Sequence, residues 1–160
     1  MSGPSVAAQR GMRFRKILCP IDFSPPSNEA MCSAAELVRG TDSELVLAHV
    51  WQAPIVYPQD GAFPSDLFVE ARRRAEDDLA AWRASVEHLG AARVSTKFVI
   101  GAPWHEIVEL ARADPEIDAI VVGTHGRTGI KHVLLGSVAE KVVRHAPCPV
   151  LVVRKRGEQR

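Results

Sequence analysis

Residues 15–27 read Arg-Lys-Ile-Leu-Cys-Pro-Ile-Asp-Phe-Ser-Pro-Pro-Ser, a short apolar run that stops at Asp22. No polar residue alternates through Ile17–Ile21, so the spacing predicts a strand covered on both faces. Ser24 is a candidate helix N-cap. Pro25 suits the first helical position, because an N–H there has no intrahelical partner to lose. From Glu29 to Arg39 the residues Ala30, Ala34, Leu37 and Val38 fall on one face, and Gly40 closes the helix. A buried strand running straight into a helix is the start of an alternating α/β chain.

The alternation continues outward from this segment. Ser43–Trp51 reads as a second buried strand and Gln52–Pro64, with three prolines, as a loop. Ser65–Leu89 is the longest helix, with Leu67, Phe68, Ala71, Ala75, Leu79, Trp82, Val86 and Leu89 at three- and four-residue steps before Gly90. Val94–Ile100 is a strand. Gly101-Ala-Pro103 opens a helix through Ala113 with Trp104, Ile107, Val108 and Ala111 inward. Asp118–Gly123 is a strand, Thr124–Leu135 a glycine-containing loop, Ser137–His145 a helix and Pro149–Arg154 the last strand. The order β-α-β-α-β-α-β-α-β implies an open parallel sheet with helices on both faces, a doubly wound α/β fold. Ligands in such sheets sit beyond the carboxyl ends of the strands, at the switch point. That expectation sets Ile21–Ser24 beside Gly123–Gly129.

The chain of 160 residues fits one domain, residues 13–155, between a loose leader (1–12) and a basic tail (156–160). Hydrophobic residues at 46% and charged residues at 24% exclude a disordered or collagen-like chain. A net charge of +1 offers no field to draw in nucleic acid or an anionic membrane. No apolar run approaches the roughly 20 residues of a membrane span. Cys19, Cys32 and Cys148 form no Cys-x-x-Cys pair, and no signal-peptide core opens the chain. A cytoplasmic protein is the expectation.

The chemistry is concentrated in Gly123-Thr-His-Gly126-Arg-Thr-Gly129 and in Gly136-Ser137-Val-Ala-Glu140. Glycines let backbone N–H groups approach an anion, and a helix start behind a glycine-rich loop is a phosphate site. The plainer reading is three turn glycines and a Ser137/Glu140 capping box. Neither the Walker lysine pattern nor a Gly-x-Gly-x-x-Gly after the first strand is present.

Gly123-x2-Gly126-x9-Gly136-Ser137 resembles the nucleotide-binding signature of the universal stress protein family. Ile-Leu-Cys-Pro-Ile-Asp-Phe-Ser resembles that family's first strand, and Ala-Pro-Cys-Pro-Val-Leu-Val-Val-Arg its last; the likeness runs from Phe14 to Lys155. The resemblance implies a Rossmann-like, adenine nucleotide alpha hydrolase-like sheet of order 3-2-1-4-5, and ATP binding. It also implies a set of site residues. Gly123, Gly126, Gly136 and Ser137 would hold ribose and phosphates. Pro20, Ile21 and Asp22 would line the adenosine pocket, with Asp22 on the ribose or on a metal-linked phosphate. Val50 would touch adenine; Val122 and Val138 flank the glycines. Thr124 and Arg127 occupy variable positions, Arg127 within reach of phosphate or simply solvated. Ala139 stands where some members carry a hydroxyl. Mg or Mn would enter with the nucleotide.

The remaining residues invite plainer readings. The six histidines show no metal-ligand spacing; His125 alone adjoins the expected phosphates. Cys19 reads as a core residue, the tryptophans as packing, and the Arg72–Arg74 run as a solvated helix face. No catalytic residue is assigned, so the expected function is a nucleotide-responsive stress regulator with slow or no hydrolysis. The alternatives are an interaction module with a vestigial pocket and a hydrolase or transferase of adenylated substrates. The expected partners are an adenine nucleotide, an unidentified regulatory protein and a second copy. The last strand, apolar and uncovered, would pair with its counterpart in a homodimer, as the resemblance also implies.

Overall fold

The computed structural model describes residues 14–53, 65–124 and 135–154. The leader, most of the proline-containing loop, the tail, and the stretch holding His125, Gly126, Arg127, Gly129 and His132 lie outside the described residues. The elements are β1 (Lys16–Pro20), α1 (Pro25–Val38), β2 (Glu44–Trp51), α2 (Ser65–His88), β3 (Arg93–Ile100), α3 (Pro103–Ala113), β4 (Ile117–Gly123), α4 (Ser137–His145) and β5 (Val150–Val153). They form one parallel sheet of order β3-β2-β1-β4-β5, the doubly wound arrangement expected.

Strand periodicity divides the core into two layers. Ile17, Cys19, Leu45, Leu47, Ala119 and Val121 face α1 and α2, where Ala30, Ala34, Val38, Leu79 and Val86 meet them. Leu18, Val46, Ala48, Ile120 and Val122 face α3 and α4 and pack on Ile107, Ala111, Ala139 and Val142. Burial of each large aliphatic side chain is worth about 1.5–3 kcal/mol, which is what clamps helices to both faces. Helix α1 starts at the expected Ser24 cap, whose Oγ accepts the Ser27 N–H at 3.4 Å. It stops before Gly40, whose φ of +69° is open to glycine without strain.

Helix α2 departs from the expected inward face at both ends. Ala75, Leu79 and Val86 are buried, whereas Leu67 and Leu89 are exposed. Twenty-four residues make a helix of roughly 36 Å, whereas the eight-residue strands beneath it reach roughly 26 Å, so the helix is longer than the strands that can cover it. Its arginines form exposed pairs, Arg72 with Glu76, Arg73 with Glu70 and Asp77, and Arg74 with Glu70, which is the solvated face anticipated.

The amino-terminal end of the sheet carries a charge cluster. Lys16 Nζ lies 2.8 Å from Asp114, 3.3 Å from Glu116 and 3.5 Å from Glu44. The Asp114 hydrogen bond is the main cause that raises the Lys16 pKa to about 12. One register step away, β4 bulges opposite Lys16/Ile17, and Asp118 at the bulge accepts the Arg15 backbone N–H at 3.0 Å.

Candidate functional site

The opposite, carboxyl-terminal end of the sheet is open. β1 and β4 are neighbours whose following helices leave on opposite faces, and a cavity of about 420 Å³ lies where they part. Four segments bring the expected site residues to its walls. Pro20, Ile21 and Asp22 arrive from the end of β1, Val50 from β2, Val122, Gly123 and Thr124 from β4, and Gly136, Ser137 and Val138 from the start of α4. Those are all of the expected site residues that lie within the described chain. Gly126 and Arg127 lie outside it.

The β1–α1 turn is held by a dense set of hydrogen bonds. Ile21 N–H donates to Ala48 O at 2.8 Å, continuing the β1–β2 ladder past the strand end. Asp22 Oδ1 accepts the Ser24 N–H at 3.1 Å and the Ser24 hydroxyl at 2.5 Å. Asp22 N–H donates to Ser27 Oγ at 3.4 Å, and Ser27 Oγ donates to Ser24 O at 3.0 Å. Between them Phe23 has φ +62°, a left-handed conformation rare for an aromatic residue. Its ring lies 4.7 Å from His49 and 5.5 Å, edge-on, from Trp82 of α2.

The β4–α4 side is closed by backbone bonds. Thr124 N–H donates to Val153 O at 3.0 Å, and Gly136 N–H donates to Thr124 O at 2.7 Å. The second bond ties the two ends of the glycine-rich loop together at the cavity rim. Gly123 is glycine for a packing reason: a Cβ there would lie 2.7 Å from the carbonyl oxygen of Pro26. The capping box expected of Ser137 and Glu140 does not form. Gly136 is the N-cap, without a side-chain cap bond, and Ser137 is the first helical residue. The Glu140 carboxylate turns instead to Arg144 one turn on, an i,i+4 pair that draws it away from the helix start. The first amides of α4 therefore meet no capping side chain among the described residues, and the positive end of the helix dipole faces the cavity rim.

The sequence pattern of the Universal stress protein family matches residues 13–154. The chain belongs to the universal stress protein family. It is 38% identical over 146 residues to Universal stress protein MJ0531 of Methanocaldococcus jannaschii, covering 89% of this chain and 83% of that protein. In structure it superposes on Universal stress protein UspA from Lactobacillus plantarum with a TM-score of 0.80 at 30% identity, over 89% of this chain and 99% of that one. It also resembles a universal stress protein solved in complex with cAMP, with a TM-score of 0.64 at 26% identity, over 88% and 97% of the two chains.

Several cavity residues of this universal stress protein escape a reading of the sequence. Ser27, His49, Trp51 and Gln52 also line the cavity, as do Pro103 and Ile107 of α3. Pro103 and Ile107 look like an ordinary helix start and an ordinary core position; only the fold brings α3 against the end of β2. His49 sits inside an apolar strand run, where a satisfied core histidine is the simpler reading. It is indeed buried, with Nδ1 2.9 Å from Ile21 O. Trp104 does not line the cavity: it packs against His145 at 5.4 Å and under Lys141 at 5.5 Å.

Proposed function

We propose that this universal stress protein binds ATP, or a related adenine nucleotide, in the cavity between the carboxyl ends of β1 and β4. It acts there as a nucleotide-responsive regulator with slow or no hydrolysis. The observation that carries this reading is the cavity itself: it lies at the switch point of a doubly wound sheet and joins an apolar wall to a helix N-terminus. Val50, Ile107 and Val122 suit an adenine ring, Asp22 a ribose hydroxyl, and Ser137 with the α4 amides a phosphate chain. A relative of the same fold solved with cAMP agrees with a purine nucleotide as ligand class.

The donor set fits a divalent cation only as a companion of the nucleotide. Among the described residues no group of three or more His, Cys, Asp and Glu side chains could hold a metal ion unaided. Mg or Mn would need phosphate oxygens, with Asp22 the carboxylate at the cavity. The functional unit is a cytoplasmic homodimer joined through β5, with an unidentified protein partner reading its nucleotide state.

Calorimetry with ATP and magnesium tests the site. The parent should bind, and Gly126→Val should lose at least about tenfold, or about 1.4 kcal/mol, while still folding. Equal affinity in the two proteins refutes the assignment. Absorbance and mass spectrometry of nucleotide released from freshly purified protein identify the natural ligand.

A further inference from the structure

We infer that His49 is the positioning residue of this site: it sets the β1–α1 turn so that Asp22 faces the ligand. The inference rests on the nucleotide reading above. Three observations converge on it. A carbonyl oxygen only accepts, so the 2.9 Å contact between His49 Nδ1 and Ile21 O requires a proton on Nδ1. The neutral ring is thereby confined to one tautomer. The neighbouring residue of β2, Ala48, takes the Ile21 N–H at 2.8 Å. Consecutive residues of β2 therefore hold both polar groups of Ile21, the residue that delivers the chain to Asp22.

The His49 ring also lies 4.7 Å from Phe23 on the far side of Asp22, where φ is +62°. A left-handed aromatic residue persists only where its surroundings over-determine it. Here His49 packs on one side of the Phe23 ring and Trp82 stands edge-on to it. Asp22 is thus bracketed, with its predecessor hydrogen-bonded to His49 and its successor packed on the same imidazole. Its own Oδ1 accepts from the Ser24 N–H and hydroxyl within the same turn, so the carboxylate moves with the turn that His49 braces. His49 itself is buried and lines the cavity wall, so it acts from beneath the turn and works through Asp22.

The test is a double-mutant cycle on the full chain with ATP and magnesium. His49→Phe keeps a ring against Phe23 and removes the donor. His49→Asn restores an N–H at a similar reach from the backbone. Losing the donor leaves the buried Ile21 carbonyl unsatisfied, so His49→Phe should weaken ATP binding about tenfold, and His49→Asn should recover it to within about threefold. Because His49 acts through Asp22, the pair His49→Phe/Asp22→Asn should bind no worse than Asp22→Asn alone. Losses that multiply in the double variant overturn the inference, since a general loosening of the fold would give that result. So does a His49→Asn protein that binds as poorly as His49→Phe.

Nitrogen-15 shifts of His49 in the ligand-free parent should report a proton on Nδ1, and the Nε2 tautomer would refute the geometry whether or not His49→Phe folds. If the parent binds ATP and His49→Phe binds equally well, the role of His49 fails alone. If the parent does not bind ATP, the nucleotide reading fails and this inference falls with it.

Discussion

Gly123 and Asp22 each carry a structural duty at a position that the proposed nucleotide site also uses. Gly123 must lack a side chain because the Pro26 carbonyl of α1 occupies the place of its Cβ. Gly123→Ala should therefore cost about 1–3 kcal/mol through forced repacking, read as a lower thermal midpoint. Asp22→Asn should behave differently. An asparagine Oδ1 can still accept from Ser24, so the thermal midpoint should stay close to the parent's, while the lost charge weakens ATP binding about tenfold. Unchanged affinity in that variant would remove Asp22 from the site. At the other end of the sheet, Lys16→Met leaves Asp114 and Glu44 without their shared cation. The pairs are neither fully exposed nor fully buried, and a loss of about 1–2 kcal/mol at neutral pH follows. Asp114 and Glu44 are held below their ordinary values, Asp114 chiefly by its bond to Lys16, Glu44 chiefly by Ser95 with help from Lys16. Depressed carboxyls contribute stability that is present above their unfolded values of 3.8 and 4.5 and is lost as the pH falls through the folded ones. The Lys16 contribution is complete below 10.5 and disappears as the pH rises through about 12. Urea titrations of Lys16→Met should show a constant deficit across neutral pH that narrows in acid and above pH 10.5.

Two strands stand at the edges of the sheet, and they are protected unequally. β3 carries Arg93 and an exposed Lys97, and charge on an edge strand discourages pairing with another chain. β5 has only Val150, Leu151, Val152 and Val153, with Leu151 46% exposed. The carbonyls of Pro149 and Val153 accept from Ile120 and Thr124, so the odd-numbered residues turn their polar groups toward β4. In a parallel ladder the even-numbered residues, Val150 and Val152, then direct theirs to the open edge. Val152→Pro should remove an outward donor and spare the pairing with β4. The parent should scatter light as about twice its 17.4 kDa chain mass, and the variant should shift toward monomer with its helical circular dichroism intact. A parent that remains monomeric at high micromolar concentration would exclude the β5 interface. The start of α4 teaches a related lesson. Ser-x-x-Glu is a capping-box spacing in the sequence, yet Glu140 had a second partner, Arg144, at helical spacing on its other side, and in the fold that partner holds it.

Across the whole molecule, a ligand bound at the β1–β4 crevice ties together segments from both halves of the chain and stabilises only the folded state. ATP at a hundred times its dissociation constant should raise stability by about 2.7 kcal/mol, seen as a higher thermal midpoint that Gly126→Val fails to show. The alternation of strands and helices, the Ser24 cap, the parallel sheet and the crevice at its switch point are legible in the amino-acid order, because they depend on local periodicity and on the handedness of crossovers. The family is legible in the amino-acid order as well: the resemblance rests on the spacing of Gly123, Gly126, Gly136 and Ser137 and on the two terminal strands, and the family pattern matches residues 13–154. The exposure of Leu67 and Leu89 emerges only in the folded chain, because helix length against strand length is a matter of how layers stack. The tertiary structure alone gave Gly123 a packing partner in α1, brought Pro103 and Ile107 to the cavity wall, and set the His49 imidazole under a turn 28 residues earlier in the chain. Periodicity reports which face of an element is apolar. Which atoms meet across that face depends on the register and separation of elements distant in the chain, and no local pattern encodes either.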